Sequence, residues 1–179
     1  MNAPAISQTA TQVVELPVQK LTVEAFAPYG QVLETSSDGK PFGPDDAQLE
    51  LNRGTPRVYL LEIKQRPLAF KVITRHLQVT QCLASVGGKP WLIAVAPPND
   101  PDDNKASVDP DKIVAFHVPG DVAVKLHRSA WHAGPFFNGP KAVFFNLELA
   151  DTNKVDHFST YLDKDFGREY RFGGPLAAV

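Results

Sequence analysis

Histidines are the side chains in this 179-residue chain best suited to move protons near neutral pH, and three of the five lie in polar surroundings. His76 lies in T-R-H-L-Q-V-T-Q, and His127 and His132 flank R-S-A-W. Residues five apart on a continuous strand face opposite sides, so His127 and His132 reach one cavity only if R-S-A-W bends. We predict an imidazole-lined site there and assign no role to His117 or His157.

Polar side chains on other segments could complete this site. Alternation places Gln81 opposite His76, so the two share a cavity only if the strand between them is irregular. In A-V-F-F-N-L-E-L, Glu148 lies on one face with Asn146 and either enters the cavity or faces solvent. Arg57 stands at a loop-to-strand junction, where its guanidinium either binds a carboxylate through two hydrogen bonds or forms a surface salt bridge.

Short apolar runs must position these residues. Seven of them follow one another between Gly, Pro or Asp turns: R-V-Y-L-L-E-I, A-F-K-V-I, Q-V-T-Q-C-L-A, W-L-I-A-V-A, K-I-V-A-F-H-V, V-A-V-K-L and A-V-F-F-N-L-E-L. No helix-length segment separates them, which favours hairpins and an antiparallel sheet over β-α-β units. We predict a mainly β domain whose strands close into a barrel or a two-sheet sandwich.

The remaining segments read as connections and edges. Thr22 is placed to cap a short helix in L-T-V-E-A-F-A-P-Y-G. Residues 35–48 are dense in turn formers and charges, and residues 97–111 form an acidic stretch rich in Pro and Asp, so both are predicted to be exposed loops. Apolar residues spaced by three and four between Lys154 and Tyr170 indicate a short helix or helical turns on the barrel.

Composition restricts the class of protein. Eighteen Lys and Arg against 20 Asp and Glu give a net charge of −2, which argues against nucleic acid and anionic membranes as partners. The single cysteine, Cys82, excludes an intrachain disulfide and fits a reducing cytoplasm, where we expect the protein. The apolar run Trp91–Ala96 is far shorter than a membrane span of about 20 residues. We expect a flexible tail over residues 1–12 and a single domain over 13–179.

Three motifs together resemble the ureidoglycolate lyase family. They are A-F-x-x-Y-G near the start, R-H-x-x-x-[ST]-Q at Arg75 to Gln81, and L-H-R-S-A-W-H at Leu126 to His132, in the family's order and at its separations. The resemblance implies a cupin-like antiparallel β barrel of the jelly-roll type with a few short helices, assembled as a homodimer. The chain departs from the family at Thr74 and Leu77, where Glu and Pro are frequent, and this leaves the exact substrate open.

The resemblance also implies an activity, the cleavage of (S)-ureidoglycolate to glyoxylate and urea in allantoin and purine degradation. The residues that match family positions are Arg57, His76, Thr80, Gln81, His127 and His132, while Glu148 stands where Asp is common. We predict that His127, His132 and Glu148 are catalytic and that Arg57, His76, Thr80 and Gln81 bind the substrate. We expect one of His132 and His127 to act as the base, with the other histidine or Glu148 supplying a proton. Arg57 would orient the carboxylate, while His76 and Gln81 would order the urea portion or a metal.

A divalent metal, nickel by resemblance, is an open expectation. His76, His127 and His132, with Gln81 or Glu148, could supply imidazole and oxygen ligands. The H-x-H…E spacing usual in cupins is absent from the sequence. Two other functions stay open: a cupin-like module that binds a small carboxylate without turnover, and a metal-dependent isomerase or oxygenase on the same barrel.

Overall fold

The computed structural model describes residues 11–179, and strands dominate it. The strands are β1 Gln12–Lys20, β2 Gly30–Leu33, β3 Pro56–Lys64, β4 Ala69–Phe70, β5 Val72–Arg75, β6 Gln81–Val86, β7 Trp91–Ala96, β8 Val114–Val118, β9 Ala123–Leu126, β10 Trp131–Phe136, β11 Lys141–Leu149, β12 Phe158–Tyr161 and β13 Arg168–Gly173. Three short helices accompany them: α1 Val23–Phe26, α2 Thr152–Val155 and α3 Leu162–Asp165. Within this part of the chain, no helix is long and apolar enough to cross a membrane.

The strands form two curled sheets. The larger has the order β12-β5-β10-β7-β8-β1-β13-β4, and the smaller β2-β9-β6-β11-β3. All pairings in the smaller sheet are antiparallel, whereas in the larger sheet β1 runs parallel to both β13 and β8. The predicted mainly β, cupin-like fold is confirmed, although β1 adds parallel pairings to the expected antiparallel pattern.

Strand β7 explains why the chain has two apolar cores. Its residues are all buried, and they alternate between the cores: Trp91, Ile93 and Val95 join one, while Leu92, Ala94 and Ala96 join the other. The first core also contains Val124 and Phe144 of the smaller sheet, so it fills the space between the sheets. The second core is covered by β1, β4, β13 and α3. A strand buried on both faces reads as a continuous apolar run, as W-L-I-A-V-A does.

Several elements differ from the sequence prediction. The short helix or helical turns expected between Lys154 and Tyr170 are present as α3 and the end of α2, but β12 and the start of β13 also lie in that segment and were not predicted. Strand β10 was not predicted, since Gly134 and Pro135 interrupt its pattern. The helix capped by Thr22 is confirmed as α1, where Thr22 Oγ1 accepts a hydrogen bond from the Ala25 amide at 3.1 Å.

The predicted loops agree better with the structure. Residues 35–48 contain no strand or helix and are mostly exposed, and residues 97–109 are also without regular structure. Buried Arg75 anchors the acidic loop by donating hydrogen bonds to the carbonyls of Asn99 and Ala106. The predicted tail, residues 1–12, falls almost entirely outside the described residues, and Gln12 already belongs to β1. The domain boundary stays a prediction.

Two short segments cross between the sheets beside the candidate site. Residues 76–80 connect β5 of the larger sheet to β6 of the smaller one, and residues 127–130 connect β9 to β10 in the opposite sense. The crossings are bonded to each other, because the Ser129 amide donates to the His76 carbonyl at 2.7 Å and Arg128 Nη1 donates to the Leu77 carbonyl at 3.0 Å. The irregularities required by the sequence argument are therefore present in both segments.

Candidate active site

The inner face of the smaller sheet becomes polar at one end. Phe144 of β11 lies in the core between the sheets, and strand alternation places Asn146 and Glu148 on the same face. On β3, Tyr59 pairs with Asn146 and Arg57 with Glu148. The end of the barrel-like interior therefore carries carboxylate, amide, phenol and guanidinium groups on neighbouring strands.

Glu148 is the centre of this polar group. Its side chain is 1% exposed. Oε1 accepts hydrogen bonds from Tyr59 OH and Asn153 Nδ2, each at 3.1 Å, and Oε2 accepts one from Gln81 Nε2 at 3.0 Å. An ionised carboxylate only accepts hydrogen bonds, and three donors satisfy it here. Of the two interpretations of Glu148, the structure selects the inward-facing one.

His76 lies at the start of the first crossing and is held in a defined tautomer. Its Nδ1 is 2.5 Å from the Asp156 carbonyl oxygen, which can only accept, so Nδ1 carries the proton and Nε2 presents a lone pair. The Asp156 carboxylate in turn accepts hydrogen bonds from the amides of Leu77, at 2.6 Å, and Gln78, at 2.9 Å. Asp156 thus fixes both the imidazole and the backbone that follows it.

His132 on β10 faces His76. The ring centroids are 5.1 Å apart, and His132 pairs with Thr74, which precedes His76 by two residues on the same face. His132 Nδ1 donates to the Ala130 carbonyl at 3.2 Å, so its Nε2 is again the free base. His132 also borders a cavity of about 330 Å³, whose lining includes Thr74 and Arg66. His132 is half-buried and His76 is 5% exposed, so His132 is the more accessible of the two imidazoles.

Both imidazoles are neutral at physiological pH. Burial lowers the pKa of His76, although the neighbouring Asp156 and Glu148 oppose the shift. Burial, with the adjacent His76 ring as a second cause, lowers the pKa of His132 to about 3. Neutral imidazoles can accept protons from a substrate. Because the folded state binds protons on these rings more weakly than the unfolded state does, the stability of the protein depends on pH.

We expect the protein to lose stability as the pH falls from 7.5 to 5. Below about pH 6.5 the unfolded chain protonates its histidines, while the folded chain keeps His76 and His132 neutral, so the unfolded state binds more protons. The thermal unfolding midpoint, followed by circular dichroism, should fall over this range. The fall should be smaller in His132→Gln and unchanged in His117→Gln, a half-buried strand histidine outside the cluster. A midpoint that stays constant or rises towards pH 5 would contradict the assignment.

His127 does not join the other two predicted histidines. Its Nε2 donates to the Ala27 carbonyl at 3.1 Å, and its Nδ1 accepts from Lys125 Nζ at 3.0 Å. Burial and the Lys125 charge lower the pKa of His127, and both ring nitrogens are occupied. Lys125 lies on the outer face of the smaller sheet, since its neighbours Val124 and Leu126 point into the core. The turn at residues 127–130 redirects the chain without turning His127 inwards.

Two predicted substrate-binding residues have different surroundings. Thr80 is fully buried, and its Oγ1 accepts from the Glu50 amide at 2.9 Å, so it anchors the preceding loop. Arg57 is exposed, with its guanidinium 3.9 Å from the centre of the Tyr59 ring, and its strand position opposite Glu148 leaves it at the edge of the polar group. The structure thus brings together His76, Gln81, His132 and Glu148, with Arg57 adjacent.

Four residues of the site were not singled out from the sequence: Tyr59, Asn153, Asp156 and His157. Tyr59 had a usable signal, because it shares a strand face with Arg57. Asn153 and Asp156 lie on and beside the short helix α2, whose position opposite the sheets has no local sequence signal. His157, whose ring centroid is 5.6 Å from that of His76, was assigned no role.

The three-histidine metal set expected from the sequence is not assembled. His127 is bonded elsewhere, and across residues 11–179 no group of three or more His, Cys, Asp or Glu side chains is arranged to hold a metal ion. His76 and His132 each present a free Nε2, whereas His127 lies elsewhere, and a divalent metal at this site stays a prediction.

The curled two-sheet β fold is that of a cupin-like protein, and a histidine pair and a buried carboxylate lie at one end of its interior. The profile of the ureidoglycolate lyase family matches residues 13–158, and the chain belongs to that family. It is 29% identical to a ureidoglycolate lyase of Stutzerimonas stutzeri, over 65% of this chain and 72% of the relative. The ureidoglycolate lyase of Pseudomonas aeruginosa is 30% identical, over 65% and 73%.

Proposed function

We propose that this protein is a ureidoglycolate lyase that cleaves (S)-ureidoglycolate to glyoxylate and urea, within allantoin and purine degradation. The substrate is a carbinol-urea, in which one carbon carries a hydroxyl, a carboxylate and a ureido nitrogen. Loss of the hydroxyl proton forms the aldehyde C=O bond of glyoxylate while the C–N bond breaks. The same proton, delivered to the departing nitrogen, completes urea, so the reaction consumes no water.

One observation supports this proposal most directly, namely the pair of His76 and His132. Each ring donates from Nδ1 to a backbone carbonyl, and each keeps Nε2 as a free base. Glu148 contributes a negative charge close enough to favour a proton on His76. A neutral base beside a fixed carboxylate suits a reaction that removes one proton and returns it, because the charge developed on an imidazole during transfer is offset locally.

In this mechanism His132 takes the hydroxyl proton at Nε2 and returns it to the ureido nitrogen. We assign the step to His132 because its side chain is half-buried, whereas His76 is 5% exposed and tied to Asp156. Glu148, whose charge favours a proton on the neighbouring His76, offsets the positive charge carried by the histidine pair between the two transfers. Arg57 holds the substrate carboxylate from the edge of the site, as its planar guanidinium allows.

An assay with racemic ureidoglycolate tests the function. The purified protein should release glyoxylate and urea in equal amounts, with half of the racemate consumed, because a chiral site acts on one enantiomer. Ammonia and carbon dioxide in place of urea would indicate amidohydrolysis and overturn the proposal. Stabilisation by the substrate without any product would identify a binding module instead.

We further propose a homodimer. The outer face of the smaller sheet carries exposed apolar side chains, with Leu60 63%, Val58 59% and Val86 48% accessible, and β3 is an open edge strand. A second copy packed on this face would cover side chains that are otherwise costly to leave in water. Light scattering should give twice the 19.6 kDa chain mass.

A cytoplasmic location, favoured by the single free Cys82, stays a prediction.

A further inference from the structure

Two buried amide oxygens in the candidate site have no hydrogen-bond partner among the described residues. They are Gln81 Oε1 and Asn146 Oδ1, and the side chains that carry them are 8% and 1% exposed. Buried polar atoms in native proteins are nearly always paired, so an unpaired atom in a site needs an explanation. Both side chains flank Glu148, one on the neighbouring strand β6 and one two residues before it on β11.

Hydrogen bonds at the other end fix the orientation of the Gln81 amide. Its Nε2 donates to Glu148 Oε2 at 3.0 Å. A flipped amide would place Oε1 against the carboxylate oxygen, with two acceptors and no proton between them. Gln81 Oε1 therefore remains an acceptor as long as Glu148 is ionised.

The Asn146 amide is fixed through Tyr59. The single hydroxyl proton of Tyr59 goes to Glu148 Oε1 at 3.1 Å, so the Tyr59 oxygen must accept from Asn146 Nδ2 at 2.9 Å. Flipping Asn146 would again set two acceptors against each other. One chain of bonds, from Asn146 through Tyr59 to Glu148 and back to Gln81, thus leaves two amide oxygens oriented as acceptors.

We infer that Gln81 and Asn146 form a donor-selective subsite that recognises the two N–H positions of an unsubstituted ureido group, with Glu148 orienting the Gln81 amide and Tyr59 orienting the Asn146 amide. The inference rests on the proposed function for the identity of the substrate. A ureido group offers N–H donors from its inner and its terminal nitrogen, and a ligand lacking either one leaves a buried oxygen unpaired. A site with buried acceptors discriminates against a ligand that lacks a donor more strongly than an apolar pocket discriminates against a ligand that lacks a methylene group.

The test is a binding series on the wild-type protein by titration calorimetry. N-carbamoylglycine keeps the carboxylate and ureido group of the substrate but has no hydroxyl, so it cannot be cleaved. N-acetylglycine replaces the terminal NH2 with methyl, and O-carbamoylglycolate replaces the inner N–H with oxygen. We expect each replacement to weaken binding by about tenfold or more, as one unpaired buried acceptor implies. Affinities within twofold of each other for all three ligands would overturn the inference.

Variants locate the effect. Asn146→Leu and Gln81→Met keep the side-chain size. In each variant, one of the two replacement ligands should bind with an affinity within twofold of that of N-carbamoylglycine. Asn153→Leu is the matched control. It also removes an amide that donates to Glu148, at 3.1 Å, but Asn153 carries neither of the two acceptor oxygens. Both replacement ligands should therefore bind this variant more weakly than N-carbamoylglycine, by the same ratios as in the wild type. Ratios unchanged in both Asn146→Leu and Gln81→Met, with folding confirmed by circular dichroism, would place the selectivity elsewhere and overturn the assignment.

The outcomes separate this inference from the proposed function. A protein that discriminates the three ligands but releases no glyoxylate and urea keeps the donor-selective subsite and loses the lyase assignment. A protein that cleaves ureidoglycolate but binds the three ligands equally keeps the activity and loses the subsite.

Discussion

Replacing His132 with Gln is expected to lower kcat for ureidoglycolate by roughly 100-fold or more, the usual contribution of a positioned acid–base group. Glutamine has a similar length and retains hydrogen-bonding capacity, but it has no basic nitrogen to take the hydroxyl proton. KM should change much less than kcat, because the proposed role of His132 is to move a proton and not to hold the carboxylate. Steady-state kinetics with a glyoxylate-coupled assay would measure both constants.

His117→Gln is the matched control for this prediction. His117 also lies half-buried on a strand, β8, and its neighbour on β7 is Leu92. It should retain kcat within about twofold, since it takes no part in the proposed proton transfer. Turnover in a folded His132→Gln protein equal to that of the wild type would exclude His132 as the base, and a large loss in His76→Gln alone would move the role to His76.

Replacing Glu148 with Gln is expected to lower kcat/KM by roughly 100-fold and also to destabilise the fold. The amide carries no charge to offset an imidazolium on the histidine pair. Its NH2 group must also face either the Gln81 donor at one position or the Tyr59 and Asn153 donors at the other. Leaving one buried donor unpaired costs about 1–3 kcal/mol. Kinetics and guanidinium unfolding would measure the two effects separately.

Glu62→Gln provides the comparison on the same sheet. Glu62 lies on β3 and forms an exposed ion pair with Lys141 at 2.6 Å, which is expected to contribute less than about 1 kcal/mol. Its variant should match the wild type in activity and almost match it in stability. If Glu148→Gln kept kcat/KM within threefold of the wild type, the charge of Glu148 would have no part in the reaction.

Strand alternation was the most reliable guide to the site. It placed Asn146 and Glu148 on one face of the last long strand, and the structure confirms that pairing. It also stated the condition under which His76 and Gln81 could meet, and the break at residues 76–80 supplies it. Alternation works here because the direction of a side chain on a strand is a local property, fixed by the pleat of a few residues.

The same reasoning did not decide the orientation of His127. The condition stated for it, a turn between His127 and His132, is present in the structure, yet His127 bonds to Lys125 and Ala27 instead. A turn changes the direction of the chain but does not determine which of its side chains point into the interior. That choice depends on partners, and Ala27 is 100 residues away in sequence.

The histidines with which the sequence argument began now divide into separate environments. By itself, the sequence determined that the chain is mainly β, which strands are buried on both faces and which on one, where the principal loops lie, and which residue types are available for proton transfer. It could do so because periodicity and turn chemistry are local properties. Tertiary structure alone decided that His76 and His132 face each other, that Glu148 receives three donors, and that two amide oxygens stay fixed as acceptors. Apart from the bond between Asn153 and Glu148, these contacts join residues tens of positions apart, and only the pairing of distant strands and the crossings between the sheets bring them together.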